Sequence, residues 1–90
     1  DALFVGPADL STAMGHFGAP DHKDVDDAIS RVVDAAHDAG TAVGTIASNP
    51  DDIPRWIDRG MDFLVVGLDV GYIADGAVGA LEAYERALNR

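Results

Sequence analysis

Cysteine is absent from the 90 residues, which removes both a disulfide framework and thiolate chemistry and fits a reducing compartment. Lysine is almost absent: Lys23 stands alone, and Lys and Arg together number 6 against 16 Asp and Glu. Glutamate is scarce too, occurring only at Glu82 and Glu85. A chain of net charge −10 lacks the cations that neutralise phosphates, which excludes nucleic acid and anionic membrane as partners. No apolar run nears the roughly 20 residues that span a bilayer, and no basic-then-apolar leader opens the chain. We therefore expect a soluble, cytoplasmic protein. The acidic balance itself admits two readings. One is a solubilising surface; the other is adaptation to a high-salt cytoplasm, where screening relieves self-repulsion.

What is present is 48% hydrophobic residues, enough for one small core. Three short apolar runs read as strands: Leu3-Phe4-Val5, Thr41 to Ile46, and Phe63 to Val66. Their β-branched, two-sided apolar character predicts parallel strands covered on both faces. Between the first two, Val25, Ala28, Ile29, Val32, Val33 and Ala36 recur at helical spacing, with Asp24, Asp27, Arg31, Asp34 and Asp38 left for the wet side. Asp21 or Asp24 would cap this helix, and Gly40 would end it. A second helix is predicted over 52–59, capped by Asp51 or Asp52, with Ile53, Trp56 and Ile57 inward. A third is predicted over 76–89, with Ala77, Val78, Leu81, Tyr84 and Leu88 on one stripe. The fold class is α/β in the order β-α-β-α-β-α, a single unit with no linker.

Parallel βα units deliver every strand's C-terminal end to one face, where sites on such sheets form. The residues just past the strands are Gly6-Pro7-Ala8-Asp9 with Ser11, then Ala47-Ser48-Asn49, then Gly67-Leu68-Asp69. They could hold a small anion or a metal. Each also has a structural reading. Asp69 can cap a helical turn through Val70 to Ala74, and Ser48 and Asn49 can close the loop before Pro50. Asp9 can cap a short turn through Ser11 to Met14. His16, His22 and His37 are not at ligand spacing and are assigned to the surface or a helix edge. Trp56 and Tyr84 fall on core stripes. The run Asp75 to Ala80 lacks a Walker lysine and does not directly follow a strand.

The stretch Gly6-Pro7-Ala8-Asp9-Leu10-Ser11, preceded by Asp1 to Val5, resembles the signature of the HpcH/HpaI aldolase family of metal-dependent pyruvate aldolases. Looser similarity runs through Ala39 to Gly44 and Gly60 to Asp69. The resemblance implies the last three βα units of a TIM (β/α)8 barrel, and hence a segment of a larger aldolase domain. It implies that Asp9 is a ligand of a divalent metal (magnesium, manganese or cobalt), and its hard carboxylate oxygen suits magnesium or manganese. It also implies that the backbone around Gly6, Pro7, Ala8 and Asp9 binds the pyruvate carboxylate, while Ile46 borders the aldehyde.

The implied activity is reversible cleavage of 4-hydroxy-2-oxoacids to pyruvate and an aldehyde, with the metal as Lewis acid. In the family a glutamate from the preceding strand joins the aspartate, and a catalytic arginine and a His-Asp base lie on earlier strands. None has a counterpart among these residues, so no catalytic group is assigned here and the chain alone should be inactive. A homo-oligomer of the full-length protein is expected. The alternatives are a citrate-lyase β-like enzyme acting on CoA thioesters and a non-catalytic half-barrel assembly module.

Overall fold

The stripe Val25, Ile29, Val33 and Ala36 becomes the buried face of one helix, and the rest of the fold is arranged around it. The computed structural model describes residues 1–90. In chain order it contains β1 (Ala2–Val5), α1 (Pro7–Ala13), α2 (Lys23–Asp38), β2 (Ala42–Ile46), α3 (Ile53–Asp58), β3 (Phe63–Val65) and α4 (Asp69–Leu88). A single 3₁₀ turn, Pro50–Asp52, leads into α3. The three strands are parallel in the order β1-β2-β3, with Leu3 beside Val43, Val5 beside Thr45, and Thr45 beside Leu64.

Alternation along the strands puts Val5, Val43, Thr45 and Leu64 on one face of the sheet. Val25, Ile29, Val33 and Ala36 of α2 cover that face together with Trp56 of α3, Met61 and Ala47. Val25, Ile29 and Val43 are fully buried, each side chain contributing about 1.5–3 kcal/mol. The opposite face carries Phe4, Gly44, Phe63 and Val65. Phe4, Phe63 and Val65 stay exposed there, so the expected two-sided cover is corrected to one-sided. The Phe63 ring lies over Gly44 in the space a Cβ would need, and it meets Phe4 at 6.4 Å between centroids. Both β1 and β3 keep one unpaired edge.

Several local expectations change in detail. Gly40 takes φ +71° and ends α2 as expected. The cap of that helix, however, is His22 and not Asp21 or Asp24: extended backbone at His22 brings its imidazole Nδ1 to accept the Asp24 N–H at 3.1 Å. Asn49, not Asp51 or Asp52, caps the turn before α3, accepting the Asp51 N–H at 3.0 Å. Ile57 is exposed rather than inward, because the short α3 turns only Trp56 fully into the core.

The third helix begins at Asp69, well before residue 76, and continues through Gly71, Gly76 and Gly79. Asp69 is its first helical residue, with Leu68 in the cap position, and its carboxylate accepts the Val70 N–H at 2.8 Å. None of the expected stripe on α4 is buried. The helix projects from the sheet, and the molecule measures 57 × 27 × 20 Å.

At the N-terminal ends of β2 and β3, Asp62 joins the strands. Its carboxylate accepts the Val43 N–H at 2.9 Å and pairs with His37 Nε2 at 2.9 Å. The Val43 N–H, and next the His37 hydrogen bond, hold the Asp62 carboxyl below its usual value of 3.8. A carboxyl depressed in the folded state stabilises it above the unfolded-state pKa and loses that contribution as pH falls through the folded value. Asp62→Asn keeps an oxygen acceptor and removes the titration. The gap in urea midpoint between parent and variant should therefore be full at pH 7 and close below about pH 4; a pH-independent gap would contradict this account. Ile29→Ala, at the centre of the core, should cost about 2–5 kcal/mol in the same measurement.

Candidate functional site

The C-terminal ends of the strands form the rim of the site. β1 ends at Val5, whose carbonyl accepts the buried Thr45 hydroxyl across the sheet at 2.7 Å. Gly6 then turns the chain, and Pro7 opens α1, where its missing N–H costs nothing. The first turn is fastened from below. The buried Ser11 hydroxyl donates to the Ala8 carbonyl at 2.7 Å, and the Leu10 N–H bonds the Gly6 carbonyl at 2.8 Å. The Ala8 and Asp9 amides at the start of this helix lie among the donors that no preceding turn can satisfy.

Asp9 is exposed and folds back over Gly6, where a Cβ would meet its Oδ2 at 3.3 Å. A glycine therefore leaves room for the carboxylate, although Gly6 has no positive φ. Asp9 and Gly6 open on a hollow of about 480 Å³ also lined by Leu3, Phe4 and Leu10. Leu3 and Phe4 point to opposite faces of their strand, so this hollow runs along the unpaired edge of β1.

Pro7, Ala8 and Ile46 come together in a second hollow of about 210 Å³, with Ser48, Arg55 and Trp56. Ile46 and Ser48 also border a third hollow of about 160 Å³ against Gly67, Leu68 and Val70. The expected binding residues are therefore divided between two hollows: Gly6 and Asp9 face one, and Pro7, Ala8 and Ile46 face the other. Asn49 is engaged as a cap and Asp69 by the Val70 amide.

Arg55 went unrecognised in the sequence. Its guanidinium lies 5.2 Å from the Trp56 ring centroid and 3.8 and 3.9 Å from the Asp21 and Asp52 carboxylates. With only 6 basic side chains in the whole chain, a cation one residue past Pro54 at the start of a rim helix was a usable signal. The histidines do lie at the surface or a helix edge, His22 capping α2 and His37 in its last turn. The expectation that none is at ligand spacing is corrected: His16 and His22 stack at 3.8 Å between centroids, and with Asp24 bring a ligand atom each within 4.8 Å of one another. The loop joining α1 to α2 folds them together across a sequence separation that has no local periodicity.

The family model for HpcH/HpaI aldolase/citrate lyase matches residues 1–75. The chain belongs to this family. A hydroxypyruvate/pyruvate aldolase of Chromohalobacter salexigens is 41% identical over 85 residues, which cover 94% of this chain and 34% of that protein. A 4-hydroxy-2-oxo-heptane-1,7-dioate aldolase of Klebsiella pneumoniae is 40% identical over 77 residues, covering 86% and 29%. Among solved structures, an HpcH/HpaI aldolase/citrate lyase family protein from Burkholderia cenocepacia superimposes with a TM-score of 0.89 at 36% identity, over 94% of this chain and 33% of that one. The chain thus spans about a third of the length of the curated relatives it matches. No helix is long and apolar enough to cross a membrane.

The bond from Thr45 to Val5 ties the end of β1, just before the Gly6 turn, to β2. Thr45→Val preserves shape and deletes that buried bond. It should lower unfolding free energy by about 1 kcal/mol, read from the denaturant midpoint.

Proposed function

We propose that this chain is the segment of a divalent-metal-dependent pyruvate aldolase that supplies one metal ligand and part of the keto-acid pocket. The full-length protein would reversibly cleave 4-hydroxy-2-oxoacids to pyruvate and an aldehyde. One observation carries the reading: Asp9 presents an exposed carboxylate into the hollow along the free edge of β1, next to unengaged helix amides.

The donor chemistry fits the ion. A carboxylate is a hard oxygen ligand of the kind magnesium and manganese take, and cobalt accepts it too. A single carboxylate cannot complete such a site, and its opening toward the unpaired edge of β1 is where a neighbouring strand would bring a second. A bound divalent ion supplies Lewis-acid polarisation of the substrate's keto group.

The chain's own residues do the rest of this half of the site. The Ala8 and Asp9 N–H groups donate to the keto-acid carboxylate, and the turn at Gly6 and Pro7 holds them at the rim. Ile46, beside Pro7 and Ala8, offers an apolar wall to the aldehyde. The proton-transferring base and the arginine are assigned to other parts of the full-length protein.

The same reading proposes that the three parallel strands are the last βα units of a closed (β/α)8 barrel. Two unpaired sheet edges and a bare apolar face with Phe4, Phe63 and Val65 support it. Assembly into a homo-oligomer, also proposed, would cover apolar side chains of α4 such as Ile73, Leu81 and Leu88.

Asp9→Asn in the full-length protein should lower kcat/KM for pyruvate aldol cleavage by at least about 10²-fold, the loss of several kcal/mol of charge stabilisation. Circular dichroism and melting temperature should be unchanged. Activity retained in a folded variant would remove Asp9 from the metal site.

A further inference from the structure

The loop between α1 and α2, with the first turn of α2, carries a second group of metal-ligating side chains that shares no residue with the Asp9 turn. Two glycines shape it. Gly15 and Gly18 have φ +81° and +77°, in the left-handed region that glycine adopts without penalty. Around them the chain closes successive turns: the His16 N–H donates to the Ser11 carbonyl at 2.7 Å, Ala19 to His16 at 2.9 Å, and His22 to Ala19 at 3.0 Å. The loop doubles back and lays the His16 imidazole on the His22 imidazole, with 13° between the ring planes. The start of α2 adds Asp24 from below.

We propose that His16, His22 and Asp24 form a binding site for a divalent transition-metal ion of the zinc class. Bond lengths of about 2.0–2.1 Å around a tetrahedral ion place neighbouring ligand atoms about 3.3 Å apart. Here His16 Nε2 is 3.1 Å and His22 Nδ1 is 3.8 Å from the same oxygen, Asp24 Oδ2. Each imidazole nitrogen thus lies near a tetrahedral edge length from the carboxylate oxygen, and the two stacked rings must turn apart to aim both lone pairs at one ion. Two imidazoles and one carboxylate suit zinc, cobalt or nickel and discriminate against magnesium and calcium, which take oxygen ligands. The side chains remain partly exposed, at 27%, 41% and 59%, so water completes the shell and the site is open.

Asp21, Asp26 and Asp27 flank the cluster in sequence, but each is already paired with a cation, Arg55 at 3.8 Å, Arg59 at 2.9 Å and Lys23 at 3.0 Å. The attraction for the ion therefore comes from Asp24 itself and from the chain's net charge of −10. Against binding stands one existing bond, the Asp24 N–H donated to His22 Nδ1. The ion must take that lone pair from the helix cap, which moderates affinity. The hydrogen bond between His16 and Asp24 gives way to two bonds to the same ion.

The test uses the metal-stripped full-length protein carrying Asp9→Asn, so that the keto-acid site and this one are read separately. Calorimetric titration with Zn²⁺ should show one equivalent per chain that excess Mg²⁺ does not displace. Added His16→Gln or Asp24→Asn should weaken it at least about tenfold, whereas His37→Gln should leave it unchanged. Co²⁺ in the same protein should give imidazole proton resonances with paramagnetic shifts that vanish in the His16→Gln variant. Asp24→Asn carries the decision if His16→Gln fails to fold. Absence of zinc binding in the Asp9→Asn protein, or binding that survives these substitutions, overturns the assignment.

Discussion

The fold depends on the burial of one helix face against one sheet face. Val25, Ile29, Val33 and Ala36 of α2 close over Val5, Val43 and Ala47, and Trp56 and Met61 seal the end of the same layer. Without that contact, three strands of 3 to 5 residues could not persist, since each leaves its other face bare. With it, the strands are parallel and in register, and their carboxyl ends are obliged to emerge on one side. The rim exists because α2 is amphipathic. The arginine that ties α3 to α2 strengthens the same layer: Arg59 donates to the Asp26 carboxylate at 2.9 Å and to its carbonyl at 3.0 Å while lying against Trp56.

Elements governed by period were legible in the sequence. The stripe of α2, its wet aspartates and its terminal Gly40 all take the places their spacing predicts, because 3.6-residue periodicity and a left-handed C′ glycine are local properties. Strand positions were legible for the same reason. What the strands face was not. Phe4 and Phe63 are apolar whether a second layer covers them or not, so composition alone suggested cover on both sides. The extent of α4 was misjudged only before residue 76, where the turn from Val70 to Ala74 was read as separate, because a glycine such as Gly71 or Gly76 weakens a helix without ending it. Ile57 follows the inward pattern on paper, but a helix of 6 residues presents too narrow a face to bury it.

The candidate site was legible as a list of residues and not as an arrangement. Reading the strand ends picked out Gly6 through Asp9 and Ser48 as neighbours past the carboxyl ends of the strands, and the family resemblance added Ile46; all of them line hollows there. Their division into separate hollows depends on α1, whose first turn points Asp9 toward the edge of β1 while Pro7 and Ala8 face β2. A direction of that kind is fixed by the buried Ser11 and Thr45 hydroxyl bonds, which no spacing rule reveals. The pairing of His16 with His22 has the same origin, in two positive-φ glycines that reverse a loop.

Donor chemistry gives this division a consequence. A lone carboxylate such as Asp9 ranks divalent ions weakly, and nitrogen-rich sites bind zinc-class ions far more tightly than magnesium. If imidazoles of this chain shared the Asp9 hollow, a zinc-class ion would compete there with the hard ion proposed for it. The chain keeps them apart. His16 and His22 are folded onto each other and onto Asp24 in the loop, while His37 is drawn by Asp62 to the opposite ends of the strands. The hollow beside β1 thus has the Asp9 carboxylate as its one side-chain oxygen donor among apolar walls, and on the proposed reading the ligands that a neighbouring strand brings would decide which cation it holds.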